Sequence, residues 1–351
     1  MIRIDTFRGK EFVDREKEIA YLKSRFAQTP EEILWLYGPK SAGKTTLIEY
    51  LIEKELTNGL KFFDKYWIKY INFRRAMVGS YENFIDSFFE TASKDDFTNE
   101  IKGSFDIGIF KLEAKVLEQV KRKEKNLFHE LIKRLQRITK QKLIIIDEIQ
   151  TLEDIYYNGE RELLKEFLNF CVALTKELHI AHVVILSSNT VFIERIYNDA
   201  KLKVTSLFKK IDHLDKETTL EYLEYKGVSQ NDKELIWNYL GGCIPLIQRL
   251  FYEQKEFASL QEYLEYQVAL AKSEIVEIMR RFMDEKKRAI FRAIIKIIVD
   301  EGVYRSKEDE EPEYVEVIDF MSQNEIFFYD PLTQEVRGNN RLYEKAFEKL
   351  I

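Results

Sequence analysis

The run Gly38-Pro39-Lys40-Ser41-Ala42-Gly43-Lys44-Thr45 fits G-x-x-x-x-G-K-[ST] at every fixed position. Residues of these types at this spacing can hold a phosphate chain. Gly38 and Gly43 permit a tight wrap that turns successive N–H groups of the arc after Pro39, from Lys40 to Ala42, inward as an anion nest. A helix starting at the end of the loop, with Thr46 in its first turn, adds the positive end of its dipole. Lys44 supplies a point charge to the β- and γ-phosphates, and the Thr45 hydroxyl is a ligand for Mg²⁺. The competing reading is a glycine-rich turn between a strand and a helix.

Two other segments carry groups suited to the same reaction. Leu143-Ile-Ile-Ile-Asp147-Glu148 is an apolar strand ending in two acids. A buried strand delivers its last residues to the edge of the sheet where the phosphate loop lies. Asp147 is then placed to support Mg²⁺ through water, and Glu148 to polarise a water that attacks the γ-phosphate. Alone, the pair reads more simply as a solvated strand end; with the phosphate loop it favours hydrolysis over transfer to a metabolite. His182-Val-Val-Ile-Leu-Ser187-Ser188-Asn189 is a further apolar strand with a polar tip. Ser188 and Asn189 are candidate catalytic partners of the attacking water, with ordinary turn chemistry as the alternative.

Positioning these groups requires a sheet. Four short apolar runs, Ile33–Tyr37, Tyr66–Phe73, Leu143–Asp147 and His182–Ser187, are separated by helical periodicity, the pattern of a parallel sheet covered on both faces. Val204–Phe208 is a fifth candidate. From about Asp215 the pattern is mainly helical, with Glu217–Lys226, Lys233–Tyr239 and Pro245–Phe257 as examples. The end reads as a helix at Glu285–Asp300, an acidic stretch, a hairpin around Asp330-Pro331 and a closing helix, the order of a winged-helix module. Tyr81, Phe84, Phe88 and Phe89 recur at helical spacing and read as core.

The chain of 351 residues, 45% hydrophobic and 33% charged, is globular and long enough for two or three domains. Its two cysteines, Cys171 and Cys243, suggest neither a disulfide framework nor a metal cluster. The first residues lack the apolar segment of a secretion signal, and no apolar run approaches the ~20 residues of a membrane span, so a cytoplasmic protein is expected. Abundant Lys, Glu and Ile lean toward a thermophile.

With these residues placed, the chain resembles the archaeal ATPase family of the AAA+ superfamily, close to the STAND and origin-recognition ATPases. Phe12-Val13-Asp-Arg15-Glu16-Lys-Glu18-Ile resembles that family's opening F-x-x-R-E-x-E-[LI]. Gly38–Thr45 matches its Walker A segment, Leu143–Gln150 its Walker B segment, and Gly241-Gly242-Cys-Ile-Pro245 the G-G-x-P turn of its helical lid. The resemblance implies an α/β P-loop NTPase of AAA+ type, with a lid and a winged-helix-like end, that binds ATP or ADP. It places Phe12, Val13, Arg15 and Pro245 by the base. Read without it, Arg15 and Glu16 are helix-start charges and Gly241-Gly242 a helix cap before a proline-initiated helix. The expected division is an ATPase domain 1–213, a lid 214–283 and a terminal module 284–351.

The family's Gly-Arg pair after the sensor strand is missing from Tyr197–Lys203, with Arg195 and Arg249 the nearest arginines. A slow ATPase is therefore expected, since an arginine finger contributes about 10³–10⁵ in rate. Residues 284–351 hold 11 Lys and Arg against 16 Asp and Glu, net −5, which opposes DNA binding and leaves a protein partner or an intramolecular role. The run Glu308–Glu311 stands where a recognition helix would begin, and the wing offers only Arg337 and Arg341. Residues 111–142, with 11 Lys and Arg against 4 Glu, net +7, are the segment that favours nucleic acid, or docking on the acidic end. Three readings stand: an ATPase with turnover, a nucleotide-loaded switch with negligible turnover, and a DNA-binding initiator-like protein.

Overall fold

The computed structural model describes residues 2–56, 65–76, 80–91, 106–107, 110–112, 114–122, 125–153, 155–157, 161–199, 202–307 and 311–351. Five parallel strands lie in the spatial order Ser206–Lys210, Ile33–Tyr37, Ala181–Ser187, Gln141–Asp147, Tyr66–Asn72, with Asp106–Ile107 paired on the outer edge. All five residues of Ile33–Tyr37 and all seven of Ala181–Ser187 are buried, as strands covered on both faces must be. Alternate residues feed different cores. Trp35, Ile144 and Ile146 pack with Leu131 and Phe167 on one face. Leu34, Leu36 and Ile145 pack with Leu47 and Ile48 on the other.

The four expected strands form within two residues of their apolar runs. The fifth does not start at Val204. Leu202–Val204 make a 3₁₀ turn that leaves Val204 77% exposed, and the strand begins at Ser206. Tyr81 and Phe84 are core as expected, whereas the side chains of Phe88 and Phe89 lie outside the described residues. So do residues 123–124 of the basic run, 200–201 beyond the sensor strand and 308–310 of the acidic run.

The helices Lys216–Tyr225, Gln230–Leu240 and Leu260–Phe282 begin at Asp215, Ser229 and Ser259, each side chain accepting from the N–H three residues on. Ile244–Glu253 begins with Pro245 in its first turn. Then come Glu285–Glu301, ended by left-handed Gly302, and Pro312–Gln323. A hairpin of Phe327–Asp330 and Glu335–Gly338 follows, with Tyr304–Arg305 as a third strand, and Arg341–Glu348 closes the chain. One apolar core runs through all of this region, joining Leu240, Leu250 and Ile275 to Phe291, Phe327 and Phe347. Among the described residues, no helix is long and apolar enough to cross a membrane.

An N-terminal hairpin, Ile4–Phe7 with Lys10–Val13, was not foreseen from the residues. Its Phe12 stacks on Tyr50 of the helix after the phosphate loop, ring centroids 3.8 Å apart. That contact fixes the hairpin beside the loop.

Candidate functional site

Strand Ile33–Tyr37 ends at Gly38, and a helix starts at Lys44, so the loop spans the C-terminal edge of the sheet. Its wrap uses left-handed backbone at Ser41 (φ 63°) and Gly43 (φ 86°). Gly38 is required by space as well as by its φ of 149°, since a Cβ there would lie 2.0 Å from the Ile211 carbonyl oxygen. Lys44 Nζ donates to the carbonyls of Gly38 at 2.9 Å and Pro39 at 2.8 Å, which holds the ammonium inside the curve of the loop.

The acids arrive from the neighbouring strands. Register places Asp147 beside Asn72 on one side and Leu186 on the other. Asp147 Oδ2 accepts from the Thr45 hydroxyl at 3.0 Å, Tyr70 at 2.9 Å and Asn72 at 3.2 Å. Glu148, in left-handed backbone with φ 61°, accepts from Arg74 at 2.8 Å and Gln150 at 2.6 Å. Burial raises the pKa of its carboxyl, and Asp147 adds to this, while Arg74, Gln150 and Lys44 pull the other way.

A cavity of about 710 Å³ opens from the loop toward the helix Ile244–Glu253. Phe12, Val13 and Arg15 line it from the N-terminal side, Ser41, Ala42, Gly43 and Thr46 from below, and Pro245 and Arg249 from that helix. Arg15 is buried and holds the loop itself, donating to the Ala42 carbonyl at 2.8 Å. Lys40 turns away from this cavity: its amide donates to Asn339 at 3.1 Å and its side chain pairs with Glu325. Ser187 lies beside Tyr37, so Ser188 and Asn189 follow at the same sheet edge. The Asn189 side-chain oxygen accepts from the Phe192 N–H, which commits half of its amide to starting a helix. Arg195 pairs with Glu153.

Burial pushes the Lys44 ammonium down to about 8, against the raising influence of Asp147 and Glu148. A phosphate chain beside it favours the charged form, so binding raises that pKa. With Lys44 as the phosphate ligand, nucleotide affinity is expected to be full below about pH 8 and to fall as the pH rises through it, by up to tenfold per pH unit. Titrating a fluorescent ADP analogue from about pH 6.5 to about pH 9.5 checks this. A flat profile would show Lys44 charged throughout.

A model of the family described as an ATPase domain predominantly from Archaea matches residues 12–250. The chain belongs to this archaeal ATPase family. An ATP-binding protein of Methanocaldococcus jannaschii is 31% identical to it over 382 aligned positions, covering 97% of this chain and 98% of its own. An ATP-binding protein of Pyrococcus abyssi is 28% identical, again with 97% and 98% covered. Among solved structures, the Walker-type ATPase of Pyrococcus abyssi superposes with a TM-score of 0.63 at 17% identity, over 99% of this chain and 98% of that one. That is a likeness of fold. The parallel sheet with helices on both faces read from the sequence is the observed one.

Several site groups of this archaeal ATPase escaped the sequence reading. Tyr70 and Asn72 end the strand next to Asp147, and their polarity at the close of an apolar run was the available signal. Arg74 gave none, and Gln150 stood only as the last residue of the Walker B resemblance. Asp212, His213, Arg337 and Asn339 come to the loop from the lid junction and the terminal hairpin. Arg337 and Arg341 are both engaged within the chain, Arg337 with Asp212 and the Phe328 ring, Arg341 over the Trp237 ring.

Proposed function

We propose that this archaeal ATPase binds ATP with Mg²⁺ between the phosphate loop, the N-terminal hairpin and the lid, and hydrolyses it slowly to drive a conformational switch. The observation that carries this reading is the 3.0 Å contact of the Thr45 hydroxyl with Asp147, beside a Lys44 held inside the loop. The oxygens of Thr45 and Asp147 form the hard donor pair that suits Mg²⁺, which takes one or two protein oxygens and completes its shell with phosphate and water. The ion when bound neutralises developing phosphate charge. Lys44 binds the β- and γ-phosphates, Glu148 accepts a proton from the attacking water, and Ser188 with the free half of the Asn189 amide orients it. Phe12, Val13, Arg15 and Pro245 enclose the base.

The switch comprises an ATPase body over residues 1–213, a lid over 214–283 and the terminal module over 284–351. Closure of Pro245 and Arg249 over the nucleotide is the movement proposed. Engagement of Arg337 and Arg341 within the chain weighs against the wing as a DNA contact and toward a protein partner of the module. The test is nucleotide binding and steady-state hydrolysis by wild type and Lys44→Ala, with and without DNA. The variant is expected to lose affinity about 10–100-fold, the worth of a charged hydrogen bond. Equal binding by both proteins sinks the site assignment.

A further inference from the structure

The terminal hairpin reaches the phosphate loop from the far end of the chain. Asn339 Oδ1 accepts from the Lys40 N–H at 3.1 Å, across a sequence separation of 299 residues. Lys40 directly follows Gly38 and Pro39, whose carbonyls hold Lys44 Nζ. Two residues before Asn339, Arg337 donates to the Asp212 carboxylate at 2.5 Å. The Asp212 carbonyl accepts from Arg15 at 2.6 Å, and the same guanidinium nitrogen donates to the Ala42 carbonyl at 2.8 Å. One strand end therefore touches both limbs of the loop, Lys40 directly and Ala42 through Asp212 and Arg15.

The contact is anchored on every side. Asn339 is buried, and its carbonyl oxygen is 3.1 Å from His213 Nε2. Burial pushes the imidazole down to about 4, so it is neutral and Nε2 donates. Burial opposes the charge on Asp212, but Arg337 and Lys210 outweigh it and hold the carboxyl below its usual range. Tyr37, the last residue of the loop strand, donates to Asp330 at 3.1 Å, and Lys210 pairs with the same carboxylate at 3.0 Å. Phe328 between them belongs to the sheet core.

We propose that Asn339 and Arg337 are positioning residues for the nucleotide phosphates, the docked hairpin holding the loop in the wrapped form that receives them. The proposal rests on the nucleotide site above and adds to that site a part supplied by the terminal module. A loop ordered before binding loses less freedom when phosphate arrives, so the hairpin contributes to affinity without touching the ligand. A partner that draws the hairpin away would release nucleotide from a distance.

The test uses the full chain, with hydrogen–deuterium exchange of the loop amides and titration of a fluorescent ADP analogue. Asn339→Ala removes one backbone hydrogen bond and is expected to speed exchange in residues 38–45 and weaken binding about five- to tenfold. KM for ATP rises in step while kcat holds, because the loop grips ground state and transition state alike. Asn339→Asp keeps an oxygen opposite the Lys40 amide and restores slow exchange in the loop, while its added negative charge keeps affinity for the anionic ligand below wild type. Arg337→Ala, acting through Asp212 and Arg15, reproduces the loss of affinity and serves alone if Asn339→Ala fails to fold. Arg341→Ala removes packing on Trp237 and beside Gly241, away from the loop, and leaves loop exchange at the wild-type level. Unchanged exchange and affinity in both Asn339→Ala and Arg337→Ala overturn the proposal, as does an equal loss in Arg341→Ala, the mark of general loosening. Lys44→Ala separates the two readings. Wild-type binding by that variant removes the nucleotide site itself; lost binding there, with none lost in the hairpin variants, removes only the hairpin's role.

Discussion

Glu148→Gln lowers ATP turnover by about 10²–10³-fold, within the range for losing a positioned general base. Nucleotide affinity stays within about twofold, because the side chain holds no phosphate. Glutamine preserves the shape of glutamate but cannot take the proton of the attacking water. The backbone at Glu148 is left-handed, which a residue with a Cβ adopts at a cost of about 1 kcal/mol. That conformation, with Arg74 and Gln150 gripping one carboxylate oxygen, fixes where the group stands. Burial raises its pKa, which moves a carboxylate toward the proton affinity a base needs near neutral pH. The acid limb of the turnover profile therefore lies above the ordinary glutamate range, and Glu148→Gln removes it. Single-turnover hydrolysis of labelled ATP, with ADP-analogue titrations alongside, measures both quantities. Wild-type turnover in the variant would strip Glu148 of its role.

Gly242→Ala is the expected structural counterpart. A Cβ at Gly242 would lie 1.8 Å from the Leu214 carbonyl oxygen and 2.7 Å from its nitrogen. Both are backbone atoms, and the Leu214 N–H donates to the Gly242 carbonyl at 3.2 Å, so neither strand of this junction can yield without breaking the bond. The loss is about 3 kcal/mol, the upper range for forcing extra volume into a packed place, and about 5 °C in melting temperature. Gly43→Ala makes a useful contrast. Its Cβ meets nothing within 4 Å, and only the left-handed φ of 86° opposes it, at about 1 kcal/mol. Calorimetry of the two variants orders them. A Gly242→Ala protein that melts with wild type would mean the lid junction can open by an ångström at no cost.

The loop, the acids and most of the sheet were readable because local rules govern them. Short, nearly continuous apolar runs mark strands buried on both faces, and the loop's glycines, lysine and threonine are dictated by the anion they suit. Phe12, Val13, Arg15 and Pro245, taken from a resemblance, line one cavity. Strand order was not readable, and with it went Tyr70 and Asn72, which meet Asp147 only because their strand lies next to its own. Arg337 and Asn339 were hidden for a different reason. Nothing local distinguishes an arginine that docks on its own chain from one facing solvent, and counting charge in residues 284–351 could not show where Arg337 was spent. Asn189 was half hidden in the same way, since nothing local shows that its side-chain oxygen also accepts from Phe192 to start a helix.

The apolar core that joins the lid helices to the last hairpin and helix has an evolutionary consequence. Gly241 sits where a Cβ would come within 3.3 Å of Arg341, and Tyr343 donates to Glu274 at 3.0 Å. Residue pairs 69 and 100 positions apart therefore constrain each other's replacement, and a terminal segment borrowed from another chain would meet helices shaped for a different partner. Substitutions on one side of this shared core are then expected to need compensating changes on the other.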